Sequence, residues 1–250
     1  MNLFSKEWKT SSRSAAMWVV LAIFSLIAAW IFWILMDGYV QSQGRFSQLP
    51  NPPSVTEVVF LSFIKTLAIL MIFVVSIVSS LAFASEKRNG TLALLLQNRR
   101  GDWHTIRSKY KALLLQLLLF LTPLILVLMT LYLATELHER QVICAIIGLL
   151  LMMMWMAAFG LWFSLLVPNT AAAVLLSFLV FASLWVFGQT SLSAAEWGKN
   201  WLIVLSPAYH LQQFHQGQLP LASLWYFLGG AFTGILLAKQ ALNQQRSQLI

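Results

Sequence analysis

Ser85 to Lys111 reads SEKRNGTLALLLQNRRGDWHTIRSKYK and carries seven of the sixteen Lys and Arg residues of the chain between two long apolar runs. Such a basic stretch flanked by apolar runs is the pattern of a loop between two membrane spans, and it decides how the rest of the chain is read. Outward from it, 59% of the 250 residues are hydrophobic, only 10% are charged, and the mean hydropathy is +0.76. Eleven Trp residues add to a composition that no soluble globule carries, so the fold class is an all-α polytopic membrane protein.

A helix rising ~1.5 Å per residue needs ~20 apolar residues to cross a ~30 Å hydrocarbon core. Six runs of about that length occur: Ala15 to Met36, Val58 to Ala84, Ala112 to Ala134, Val142 to Val167, Ala171 to Gly188 and Leu221 to Leu242. Only Pro168, Asn169 and Thr170 separate the fourth and fifth, which predicts a tight helical hairpin, because Pro disfavours helix at the residue before it. No loop is long enough for a soluble domain, so residues 1–250 are expected to form a single membrane domain. The first run exceeds 20 residues and lacks a small-x-small cleavage site, so it reads as an uncleaved first span.

Lys and Arg are retained on the cytoplasmic side during insertion, whereas acidic residues contribute little. With the N-terminus inside, the inner segments hold twelve basic residues: Lys6, Lys9, Arg13, the seven of the central loop, Lys239 and Arg246. The outer segments hold three, Arg45, Arg140 and Lys199, and Lys65 lies within a span. Both termini are therefore expected in the cytoplasm. The isoelectric point of about 9.9 reflects this topology and contact with anionic headgroups, and no nucleic-acid partner is expected.

Catalytic signatures are missing. There is no P-loop and no Gly-x-Ser-x-Gly elbow, and His138-Glu139-Arg140-Gln141-Val142 has Val where a metalloprotease helix needs its second His. His210 and His215 diverge by about 140 degrees on a helix turning ~100 degrees per residue, so they do not share a metal. No catalytic residue and no metal site is assigned. Cys144, the single cysteine, sits among apolar neighbours and reads as a small core residue.

Within the central loop, Thr91 is a candidate N-cap, and Leu92, Leu95 and Leu96 recur at i, i+3 and i+4, the pattern of a short amphipathic helix. A second helical pattern begins at Asp102, another cap candidate, with Trp103, Ile106 and Tyr110 on one face and His104, Arg107, Ser108 and Lys111 on the other. Such helices either rest on the headgroups or present a face to a cytoplasmic partner. Near the other end of the chain, Gln189 to Pro220 is too polar to span yet contains Trp197, Trp201 and Leu202 to Leu205, which predicts a re-entrant or interfacial hairpin. Lys65 stands eight positions into its span and reads as a side chain that snorkels to the outer surface, with substrate contact as the alternative.

Two motifs carry a family resemblance. Glu86-Lys87-Arg88-Asn89-Gly90-Thr91-Leu92-Ala93-Leu94-Leu95-Leu96 resembles the E-(K/R)-x-x-G-T-(L/I)-(D/E)-x-L-L signature of type 2 ABC exporter permeases, with Ala93 in place of the usual acidic residue. Ser206 to Gly217, SPAYHLQQFHQG, is similar to the Y-H-x-x-x-F-x-x-G element before the last span of the GldF- and NosY-like permeases. Where that family often has an acidic residue and an Arg, this chain has Gln212 and Gln216.

The resemblance implies a permease subunit, not itself an enzyme, of an ABC exporter in a bacterial inner membrane. It implies that Glu86, Gly90, Thr91, Leu92, Leu95 and Leu96 couple to a cytoplasmic ABC ATPase dimer that binds ATP and Mg. It assigns Pro207, Tyr209, His210, Phe214 and Gly217 to a hairpin closing the outer end of the path. A second copy or a related membrane subunit would complete the complex. No cofactor is expected in this chain. The alternative is a transmitter or scaffold that uses the ATPase to move a periplasmic partner while no solute crosses. Spans this apolar favour a lipid-linked or amphipathic cargo over a small ion.

Overall fold

The computed structural model describes Trp8 and residues 14–48, 50–88, 90, 101–167, 169–190 and 204–247. Every regular element among them is helical. Helix α1 spans Ala15–Phe46, and a π turn at Thr56–Phe60 runs directly into α2, Leu61–Arg88. After the central loop come α3, Asp102–Leu119, α4, Thr122–Ala134, and α5, Glu139–Leu166. The chain continues through α6, Thr170–Thr190, the short α7, Pro207–His215, and α8, Leu221–Ser247.

Five helices are long and apolar enough to cross a membrane, and six if α3 and α4 together make one bent span. All six expected runs therefore fall on helix, with two differences. Helix α1 continues ten residues past the expected boundary at Met36, out to Phe46. The expected third span is broken: α3 and α4 meet at a bend of 40° around Phe120 and Leu121. Pro123 explains the break, since it has no N–H to donate and its ring would collide with the carbonyl one turn earlier, so it sits in the first turn of a new helix. The expected hairpin between the fourth and fifth runs is present, with Asn169 Oδ1 accepting from the backbone N–H of Ala171 at 3.0 Å to cap α6.

Helix α5 is the axis of the bundle and packs against α2, α3, α6, α7 and α8. Its Leu149, Met152, Met156, Ala157, Ala158 and Leu161 are fully buried, and Cys144 lies in the same core. Close approach comes from small residues. Gly230 and Gly234 of α8 form a Gly-x-x-x-Gly face, and a Cβ on Gly234 would lie 3.0 Å from the Cβ of Ala158 on α5. Within hydrocarbon, such contacts supply dispersion energy that burial from water does not. Ser76 and Ser80 of α2 donate to the carbonyls of Ile72 and Ser76 at 2.7 and 2.6 Å, which is how these hydroxyls are tolerated inside an apolar span. By contrast α1 buries little beyond Phe24 and Ala28 and exposes Trp18, Trp30 and Trp33, as a lipid-facing helix does.

Hydrogen bonds fix the direction of the helices. The Thr56 Oγ1 accepts from the backbone N–H of His138 at 3.1 Å, while Lys87 reaches the last turn of α5, so α2 and α5 run parallel. One end of the bundle therefore gathers the ends of α2, α5 and α8 and the start of α3, and is here called the basic end. The other gathers the starts of α2, α5 and α8 together with α7.

Candidate functional site: two ends of one helix

At the basic end, Lys87 Nζ donates to three carbonyl oxygens at the C-terminus of α5: Ser164 at 2.9 Å, Leu165 at 2.7 Å and Val167 at 2.9 Å. A helix leaves its last carbonyls without intrahelical partners and carries partial negative charge there, so an ammonium is the fitting cap. Burial pulls this lysine down to about 8, still above neutral pH, so it stays largely charged there. Gln245 of α8 donates to the same Leu165 carbonyl at 2.7 Å. Arg246 of α8 meets Asp102 of α3 at 3.2 Å, and Lys109 of α3 donates to the Ala82 carbonyl at 2.6 Å with its ammonium 4.7 Å from the Phe83 ring. Four helix termini are thus stitched together beside the basic loop.

Asp102 is the first residue of α3, and the preceding cap position is Gly101 at φ +76°, so Asp102 serves as an ion-pair partner in place of the expected cap. On that helix Ile106 and Tyr110 are buried against the bundle, whereas Trp103 is partly exposed and lies beneath the cations of Arg107 and Lys239. Ser108, expected on the polar face, is buried. Gly90 adopts φ +67° and its N–H bonds the Lys87 carbonyl at 3.3 Å, closing α2 in a conformation that L side chains rarely adopt. Thr91, Leu92, Leu95 and Leu96 lie outside the described residues, as does the side chain of Glu86.

The opposite end is built on α7. Ser206 caps it by accepting from the Tyr209 N–H at 3.4 Å, and Pro207 occupies the first turn, where its missing donor costs nothing. His210 is buried, its Nε2 lying 3.0 Å from the Val204 carbonyl and its Nδ1 2.9 Å from Ser223 Oγ of α8. Since a carbonyl only accepts, Nε2 carries the proton and Nδ1 accepts from the serine. Burial holds this imidazole below its ordinary range. Its ring stacks on Tyr226 at 4.1 Å, and Tyr226 stacks on Trp155 of α5 at 5.7 Å. Phe214 fills the space beside Gly148 of α5, and Gly217, at φ +71°, offers its carbonyl to Arg140 Nε at 2.9 Å. The expected hairpin residues thus divide by role: Pro207, His210, Phe214 and Gly217 fasten α7 to the bundle, and Tyr209 is exposed on the lining of the pocket beside α7. The segment from 191 to 203 lies outside the described residues.

Between α7, the starts of α2 and α5 and the end of α6 lies a pocket of about 410 Å³. Its polar wall comprises Glu57 of the π turn, Lys65 of α2, Gln141 of α5 and Gln212, His215 and Gln216 of α7, and its apolar wall includes Leu61, Trp185 and Leu211. Glu57 is set in place by a reciprocal cap in which its Oε2 accepts from the Ser54 N–H and the Ser54 Oγ accepts from the Glu57 N–H, both at 3.3 Å. His215 is held down to about 4, first by burial and second by the Lys65 charge, so its imidazole is neutral at physiological pH. His210 and His215 belong to different surroundings, one inside the packing and one on the pocket wall. Gln212 and Gln216, the positions at which the sequence departs from its resemblance, both line the pocket. A second cavity of about 380 Å³ adjoins it and shares Gln141 and Gln216.

No family model matches the chain, and no curated protein matches it either.

Proposed function

We propose that this chain is the membrane permease subunit of a type 2 ABC exporter, driven by a separate cytoplasmic ATPase dimer and completed by a second copy or a related subunit. In this reading both termini lie on the cytoplasmic side of a bacterial inner membrane, and the basic end faces the ATPase. The observation that carries the proposal is the position of the Glu86 to Leu96 motif: it begins in the last turn of α2, where the neighbouring Lys87 is bonded to the end of α5.

The mechanism follows from that connection. ATP closes the partner's dimer and displaces the segment after Gly90. Lys87 passes the displacement to α5, the helix against which most of the bundle packs. Because α5 carries Gln141 at its far end, a rigid-body shift of this helix alters the pocket wall. A polar pocket favours export over the transmitter alternative, which has no use for one.

Affinity purification of the chain from its native membranes in mild detergent, followed by an ATPase assay of the eluate, tests the proposal. An ATPase is expected to co-purify with the wild-type chain and to be lost with Leu95→Glu combined with Leu96→Glu. An intact chain that retains no ATPase under the same conditions contradicts it.

A further inference from the structure

The pocket beside Lys65 has the chemistry of a ligand site. Its volume of about 410 Å³ lies within the range of small-molecule sites, roughly 300–1,000 Å³. Two side-chain atoms on its lining residues, Gln141 Oε1 and His215 Nε2, are buried from solvent and have no hydrogen-bond partner among the described residues. Buried polar atoms are nearly always paired, since leaving one unpaired costs about 1–3 kcal/mol. Lys65 adds a cation a third of the way into a span, where a charge ordinarily serves a polar cavity or a partner.

The donors and acceptors specify what fits. Lys65 offers a positive charge and N–H donors, which select an anion. The Gln141 oxygen and the Glu57 carboxylate only accept, so the same ligand must also donate. Hydroxyl groups meet that need, and an ammonium would be repelled by Lys65. Trp185 and Leu61 add an apolar lining suited to a methylene chain or a glycerol backbone. We infer that this pocket binds a small anionic head group bearing hydroxyl donors, of the glycerol phosphate type, with Lys65 on the anion and Gln141 and Glu57 accepting from the hydroxyls. This assignment requires only a chain folded in a membrane environment and does not depend on the ATPase reading.

Titration calorimetry on the purified chain in a neutral maltoside detergent tests it. The probes are dihexanoyl phosphatidylglycerol below its micelle-forming concentration, glycerol 3-phosphate, and dihexanoyl phosphatidylcholine, which keeps the phosphate but lacks hydroxyl donors. Saturable binding of one of the first two is expected, with the choline lipid at least about tenfold weaker. Loss of a charged hydrogen-bond partner in Lys65→Met is expected to weaken binding by about tenfold or more, and Lys65→Arg to restore most of it. Lys65 is exposed, so Lys65→Met is expected to fold, and an unchanged melting curve checks this. Binding by glycerol 3-phosphate alone identifies a water-soluble ligand, and binding that needs the acyl chains identifies a membrane lipid; either supports the site. Absence of saturable binding by both, equal binding of the choline lipid, or unchanged affinity in Lys65→Met overturns the inference.

Discussion

Helix α2 carries two lysines with opposite fates. Lys87 is saturated, its ammonium held by three carbonyls at the end of α5. Lys65 lines a pocket together with apolar side chains and with two buried atoms, Gln141 Oε1 and His215 Nε2, that have no hydrogen-bond partner among the described residues. The same residue type on one helix is a structural cap at one end and an open cation at the other. What decides between them is whether a neighbouring helix terminus supplies acceptors. A charge near a span is thus interpretable only from what faces it, and the identity of the residue alone says little.

This contrast is broken most severely at Lys87. Lys87→Met strips the cap from α5 and leaves three carbonyls to find other partners, so a stability loss of about 1–3 kcal/mol is expected in a detergent melt. A melt indistinguishable from wild type would mean that the clamp contributes nothing. At the opposite end, His210→Phe keeps the stack on Tyr226 but removes both hydrogen bonds, to Ser223 and Val204, and about 1–2 kcal/mol of destabilisation follows.

The pH dependence sharpens the comparison further. The folded state holds His215 at about 4, whereas an unfolded histidine protonates near 6.5, so the unfolded chain binds more protons between those values. Stability is therefore complete above about pH 6.5 and declines as pH falls toward 4. Replacing His215 with Gln should flatten part of that decline, leaving the share that comes from His210, whose shift has the same sign. Parallel curves for wild type and His215→Gln across this window would show that His215 does not contribute. The smallest stability change is expected at Lys65→Met, within about 0.5 kcal/mol, because the side chain is exposed and makes no hydrogen bond or ion pair among the described residues.

The sequence makes the apolar helices legible because hydropathy is a local property: every expected run lies on helix, and Pro168 to Thr170 marks its hairpin. The Ser206-Pro207 start of α7 is readable for the same reason. The break before α4 had a local signal in Pro123, masked by the strength of the surrounding hydropathy. Gly230 and Gly234 likewise signal a close helix contact by their spacing. The clamp and the pocket are different in kind. The acceptors of Lys87 lie 77 to 80 residues away along the chain, and the pocket gathers Lys65, Gln141 and His215 from three helices. No period or motif links such positions. Lys65 stands out as a charge in a span, and Gln212, His215 and Gln216 as members of one motif, but nothing local in either stretch places them around one pocket.

In the proposed mechanism the two ends of this chain act on one another through α5. That coupling is tested most directly by the ATPase activity of the co-purified complex, measured with and without the short-chain phosphatidylglycerol, in wild type and in Lys65→Met. The probe is expected to alter hydrolysis by the wild-type complex, and Lys65→Met to abolish that response. A wild-type rate indifferent to a probe that is demonstrably bound would contradict it.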